Sequence, residues 1–79
     1  MMQNITILNK LPIDTEARIE SLNCQGSLRR RFLDLGMIPG TKIKPILKSP
    51  SGDPIAYEIR GAVIALRKED SDQVSIIFS

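Results

Sequence analysis

The stretch Phe32-Leu33-Asp34-Leu35-Gly36-Met37-Ile38-Pro39-Gly40-Thr41 decides how this chain folds. It reads as the end of a short helix, a glycine stop, a tight turn and the start of a strand. Leu28, Phe32 and Leu35 fall at i, i+4 and i+7, which places them on one helical face, and Leu33 widens that face. Gly36 follows the last periodic residue, where a left-handed position past the helix end favours a residue without a Cβ. Pro39 then fixes φ at the second position of a turn, and Gly40 accepts the positive φ that a type II turn demands at the third. Helix, stop, turn and strand agree with one another, and the rest of the chain must pack against this corner.

Working outward, 79 residues make one domain with no room for a second core. Residues 1–10 are expected as a loose lead-in or an edge segment and residues 11–79 as the domain itself. The apolar fraction of 42% and charged fraction of 25% are those of a globular protein rather than a disordered chain. Phe32, Tyr57 and Phe78 are the only aromatic residues, so Ile, Leu and Val must build the core. A core of this size supplies only ~3–5 kcal/mol, so a partner or self-association would add useful stability. The chain has no run of apolar residues near the ~20 needed to cross a bilayer. It also lacks a basic, then apolar, leader. Cys24 is the single cysteine, so no internal disulfide forms and a cytoplasmic location is expected.

Upstream of the corner, Ala17 and Ile19 alternate with Glu16, Arg18 and Glu20, a half-buried strand over residues 15–22 whose register wobbles at Leu22. Asn23-Cys24-Gln25-Gly26-Ser27 is a connector that offers a hydroxyl or a glycine to cap the helix over Ser27–Leu35. Downstream, Thr41–Lys48 is a second strand; Pro45 and the change of phase between Ile43 and Ile46-Leu47 mark a bulge or an edge. Ser49-Pro50-Ser51-Gly52-Asp53-Pro54 is a loop. Ile55, Tyr57 and Ile59 then share one strand face against Glu58 and Arg60, and Gly61 breaks the run as a hairpin turn or a kink. Ala62–Arg67 is apolar on both faces, so either this strand is covered or Val63 belongs to an exposed apolar patch. After the polar turn Lys68–Asp72, Val74, Ile76 and Phe78 point inward from a last strand. About five short strands with one short helix after the first give a mostly β fold, a small closed barrel.

The chemistry available is narrow. With no histidine and one cysteine, neither a nucleophile–imidazole pair nor a structural zinc set can assemble in one chain, and no cofactor is expected. Glu69, Asp70 and Asp72 lack the spacing of a calcium loop. The chain reads as non-enzymatic. Charge is uneven: residues 1–48 carry +4 and residues 49–79 carry −2, a polarity able to steer a partner. Arg29, Arg30 and Arg31 sweep a broad arc of the helix, either as solvated surface or as a docking patch. A nucleic-acid-binding barrel is the competing class, but its aromatic platform would have to come from side chains already assigned to the core, so no nucleic acid is expected.

Three motifs, taken together, resemble the ferrous iron transport protein A family, FeoA. They are Arg31-Phe32-Leu33-Asp34-Leu35-Gly36-Met37-Ile38-Pro39-Gly40-Thr41, then Ser51-Gly52-Asp53-Pro54-Ile55, then Arg60-Gly61 with Ala65-Leu66-Arg67-Lys68. The resemblance spans residues 11–78 and implies an SH3-like barrel similar to the domain that ends iron-dependent repressors. It also implies a cytoplasmic accessory or regulatory protein of bacterial ferrous iron uptake. The implied partner is the permease FeoB, met at its GTP-binding region, so that any membrane association is indirect. A stand-alone metal-sensing adaptor is a further alternative. Leu35, Gly36, Pro39, Gly40, Gly52, Asp53, Pro54, Gly61 and Leu66 are assigned to scaffolding, and Arg29, Arg30, Arg31, Met37 and Val63 to the contact surface. The sequence departs from the family at Ala62-Val63, where a larger and a more polar residue are common.

Overall fold

A computed structural model describes residues 3–78. The helix end forms as its sequence dictates. Helix α1 covers Gly26–Asp34 and Leu35 closes it. Gly36 then takes φ +88°, which turns the chain back over the last helical turn. The Met37 amide donates to the Phe32 carbonyl at 3.0 Å and the Gly36 amide to the Leu33 carbonyl at 3.0 Å. This pair of bonds is the Schellman arrangement, and it satisfies two carbonyls that a helix end otherwise leaves without donors. Phe32 and Met37, the residues that arrangement brings together, are both fully buried.

The turn that follows is the expected type II, with Gly40 at φ +92° and the Thr41 amide donating to the Ile38 carbonyl at 3.1 Å. It is held by β2, the strand Ala17–Leu22. Gly40 donates to the Ile19 carbonyl at 2.8 Å, Ile19 donates to the Thr41 carbonyl at 2.9 Å, and Arg18 Nη1 donates to the Gly40 carbonyl at 2.7 Å. The chain then enters β3, Lys42–Lys48.

The remaining strands are β4 (Ile55–Ile59), β5 (Ala62–Leu66) and β6 (Val74–Phe78), with a one-turn helix α2 at Lys68–Ser71. A sixth strand, β1, runs over Asn4–Ile7, followed by a short 3-10 turn at Leu8–Lys10. It pairs antiparallel with β6, from Asn4 opposite Phe78 to Ile7 opposite Ser75. Four residues are too few for alternation to announce a strand; the partner makes it one. All six strands form one sheet in the order β1-β6-β2-β3-β4-β5.

The fold is therefore mostly β and SH3-like, with two corrections. Among the described residues there are six strands rather than five, and the hydrogen-bonded ring does not close, because β1 and β5 each pair with a single neighbour. The sheet folds over where β2 and β3 share only two residue pairs, Ala17 with Ile43 and Arg18 with Lys42. Ile19, Val74 and Ile76 from one half then meet Ile43, Tyr57, Ile59 and Leu66 from the other in a single core.

Local departures follow from packing. Pro45 is buried opposite Tyr57, beyond the reach of the β2 pairing, so its missing N–H costs no ladder bond on that side. The bulge expected nearby lies between Pro45 and Leu47 and turns Leu47 outward. Arg60 at φ +52° and Gly61 at φ +81° make the two-residue β4–β5 hairpin turn. Leu33 does not widen the buried face: it is exposed, lying one residue, about 100° of helical rotation, from Phe32. The side chain of Gln25, at the N-cap of α1, makes no capping hydrogen bond.

A Cβ added at Gly36 would stand 2.5 Å from Arg60 Cδ, so two costs combine there, the left-handed backbone and the displaced Arg60. We predict that Gly36→Ala lowers the unfolding free energy in urea by about 1–3 kcal/mol. Adding Arg60→Ala should recover only the steric share of that loss. Full recovery in the double variant would mean that the left-handed backbone contributes nothing.

Candidate functional site

The residues assigned to scaffolding show how the loops are held. Asp53 Oδ1 accepts a 2.8 Å hydrogen bond from the Lys68 amide, so the β3–β4 loop caps the first turn of α2. Gly52 is left-handed at φ +91° and donates to the Ser49 carbonyl at 2.8 Å, while Ser49 donates to the Pro54 carbonyl at 3.2 Å. Asp72, at the end of α2, accepts from Asn9 Nδ2 in the 3-10 turn and pairs with Lys68 Nζ at 3.3 Å. Leu66 is buried and Leu35 packs half-buried against the core.

The candidate contact residues fall into separate groups. Met37 leaves the set: it is fully buried beneath the Schellman turn, and a side chain with no exposed area cannot meet a partner. Arg29 is exposed but turns back along α1, its Nη1 donating to the Leu22 carbonyl at 3.2 Å, so it also ties α1 to β2. Arg30 and Arg31 border an open depression on α1 with Gly26, Ser27, Asp34 and Leu35. Neither arginine forms an ion pair among the described residues. Arg29 is thus set apart from Arg30 and Arg31.

Val63 belongs to another surface. The apolar strand Ala62–Leu66 is an edge strand, and Val63 is 61% exposed. Across the sheet, Leu47 stands opposite Ala56 and Ala56 opposite Ala65, an apolar row on the outer face next to Val63. Leu47, 66% exposed, was missing from the sequence-derived surface; its position depends on the bulge after Pro45, which shifts the phase of β3. Arg60 connects the two regions, since it opens β5's hairpin while its side chain lies over Gly36 at the end of α1.

The aromatic residues offer no stacking platform: Phe32 and Tyr57 are fully buried and Phe78 is half-buried. Cys24 is a buried core residue. Among the described residues no helix is long and apolar enough to cross a membrane.

Against this geometry, a family model described as the FeoA domain matches residues 6–77. The chain belongs to the FeoA family. A Porphyromonas gingivalis protein described as an Fe(2+) transport protein A/Fe(2+) transporter FeoB fusion is 29% identical over 69 residues, 87% of this chain and 8% of that protein. The solution structure of iron(II) transport protein A from Clostridium thermocellum matches with a TM-score of 0.86 at 32% identity, covering 90% of this chain and 44% of that one. An FeoA-like protein from Clostridium acetobutylicum matches with a TM-score of 0.83 at 30% identity, covering 96% of this chain and 87% of that one. This FeoA chain therefore spans under half the length of the first two relatives. The resemblance to iron-dependent repressors holds at the level of fold: IdeR of T. acidophilum gives a TM-score of 0.83 at 18% identity over 95% of this chain.

Among the described residues one buried side-chain polar atom has no partner, the hydroxyl of Tyr57. Burial pushes the phenol above its ordinary value of 10.0; the neighbouring Ser71 hydroxyl opposes that rise and the Asp53 charge adds to it. Ser71 is itself committed to the Lys68 carbonyl at 3.3 Å and does not close a bond with the phenol. With the folded pKa above the unfolded one, the neutral phenol stabilises the fold fully below pH 10, and that contribution is lost as pH rises toward the folded value. Tyr57 is the only tyrosine, so phenolate absorbance reports it alone. We predict titration above 10 in the folded chain. We also predict that Tyr57→Phe is as stable as the parent or up to about 2 kcal/mol more so, with a shallower loss of stability at alkaline pH. A destabilised phenylalanine variant would show that the hydroxyl has a partner.

Proposed function

We propose that this FeoA chain is a non-enzymatic accessory protein of ferrous iron uptake that docks, in the cytoplasm, on the GTP-binding region of an FeoB-type permease. The observation that carries the reading is the Porphyromonas gingivalis relative, in which an FeoA-like segment and an FeoB transporter are one polypeptide. A domain joined to a transporter acts at high local concentration, and a separate chain doing the same work must supply the missing concentration by affinity. The structure is suited to this work. Its core and loops are fixed by backbone hydrogen bonds and buried apolar side chains. The docking domain acts by binding one conformational state of the permease better than another, which shifts the equilibrium by the difference in affinity.

Within this reading Arg30 and Arg31, on the free side of α1, are the charged contacts, while Arg29 holds α1 to β2. The test is co-purification of the chain with the soluble GTP-binding region of an FeoB permease, with GTP turnover followed in the same samples. Binding with altered turnover supports a regulatory adaptor. Absence of binding well above micromolar concentrations removes the GTP-binding region as the docking site. Arg30→Glu should weaken the complex by about fivefold or more, equivalent to roughly 1 kcal/mol. Its thermal stability should change by less than ~0.5 kcal/mol, as for other surface substitutions. Unchanged binding by this variant would remove the α1 arginines from the interface.

A further inference from the structure

Strand β5 is an open sheet edge. Its sequence, Ala62-Val63-Ile64-Ala65-Leu66, contains no charge and no proline, and its register with β4 runs through five pairs without a bulge. Lysine, proline and bulges are the devices that ordinarily keep edge strands from pairing with other chains, and β5 has none of them. In a two-residue hairpin the residues flanking the turn, here Ile59 and Ala62, form a hydrogen-bonded pair, and the pattern alternates from there. Ala62, Ile64 and Leu66 therefore direct their amides and carbonyls toward β4, whereas Val63 and Ala65 direct theirs outward. Among the described residues neither Val63 nor Ala65 makes a backbone hydrogen bond beyond the sheet.

This edge is complementary to itself. With two copies of β5 set antiparallel about Ile64, Val63 of each stands opposite the second copy's Ala65. Both residues direct their polar groups outward, so each such pair exchanges both of its N–H···O bonds and no outward donor or acceptor is left over. Ile64 meets its own counterpart at the position between them, where opposing side chains stand closest. Ala62 meets Leu66 at either side, so no charged side chain lies between the two strands.

The charged groups around the edge single out a second copy from other strands that would match its backbone. Glu58 stands opposite Val63 on the outer face, and Arg67, in extended backbone, continues that face two residues beyond Ala65. Both are exposed, and neither forms an ion pair among the described residues. Within one chain they are offset by the four residues from Val63 to Arg67. Across the two-fold axis Arg67 falls diagonally beside the second copy's Val63, its Cβ ~12 Å from that of Glu58, a gap the two long side chains together span. The remaining charges do not oppose this. Lys68 lies in α2, paired with Asp72 and donating its amide to Asp53, and the Arg60 side chain lies over Gly36. Glu69 and Asp70 follow Arg67 and Lys68, so each end of the paired strands mixes both signs. We propose that β5 pairs with β5 of a second copy, antiparallel about Ile64, in a two-fold dimer with a continuous sheet and a Glu58–Arg67 ion pair between copies at each end. This goes beyond the permease reading, because it needs only the chain itself.

The test is sedimentation of the full-length chain from about 10 µM to about 1 mM, with amide NMR over the same range. The chain should pass from monomer to dimer, and the Val63 and Ala65 amide signals should move with the dimer fraction. Glu58→Arg and Arg67→Glu, both at exposed positions, should each weaken the dimer about tenfold by setting like charges across the axis. An equimolar mixture of the two variants should recover the parent affinity to within about threefold, since each copy then supplies the charge its neighbour lacks. The proposal is overturned if the chain stays monomeric throughout, if those two amides do not move, or if the mixture dimerises no better than either variant alone. Species larger than a dimer would also overturn it, by giving the edge to β1 of the next copy.

Discussion

The constraint on which the structure depends is the fate of the carbonyls at the end of α1. A helix of nine residues leaves its last carbonyls without intrahelical donors. Gly36 resolves this by turning left-handed, so that its own amide and that of Met37 close back on Leu33 and Phe32. The same reversal drives Met37 into the core against Phe32 and aims the chain at β2. The type II turn at Ile38–Thr41 then hands three hydrogen bonds to Arg18 and Ile19, and β3 begins in register beside β2. Helix placement and the fold of the sheet are thereby one event. A chain without a residue that accepts the left-handed conformation at position 36 would have to give up either the helix end or the entry to β3.

Much of this was legible in the sequence because the information is local. Glycine and proline announce the corner, and period-two alternation announces β2, β4 and β6. The phase slip after Ile43 announces the bulge in β3. What escaped depends on contacts between distant segments. Met37 was assigned to the contact surface, but the turn that bonds its amide to Phe32 leaves its side chain buried. Leu33 looked buried because it is apolar and beside Phe32, yet one residue of rotation carries it to solvent. Strand β1 has four residues and no readable period, and β6 alone makes it a strand. Closure of the barrel was inferred from the cost of free edges, but the sheet keeps two, β1 and β5, and leaves apolar β5 exposed at one of them.

The candidate site was legible to a lesser degree, for a related reason. Composition states that the helix is basic and that β5 is apolar, but not which arginine is already engaged or which strand ends the sheet. The folded chain separates a structural arginine, Arg29, from Arg30 and Arg31, and it adds Leu47 to the surface that Val63 begins. The motif glycines and Asp53 lie in turns and caps rather than on either surface.

Hydrogen exchange on the native chain tests the central claim, that the Gly36–Thr41 corner and the core form one cooperative unit. If they do, the amides of Gly36, Met37, Gly40 and Thr41 exchange only through global opening, with the same free energy as the buried β2 and β4 amides. Exchange of these four amides at a markedly lower free energy, while β2 and β4 stay protected, would show that the corner opens on its own and that the sheet does not depend on it.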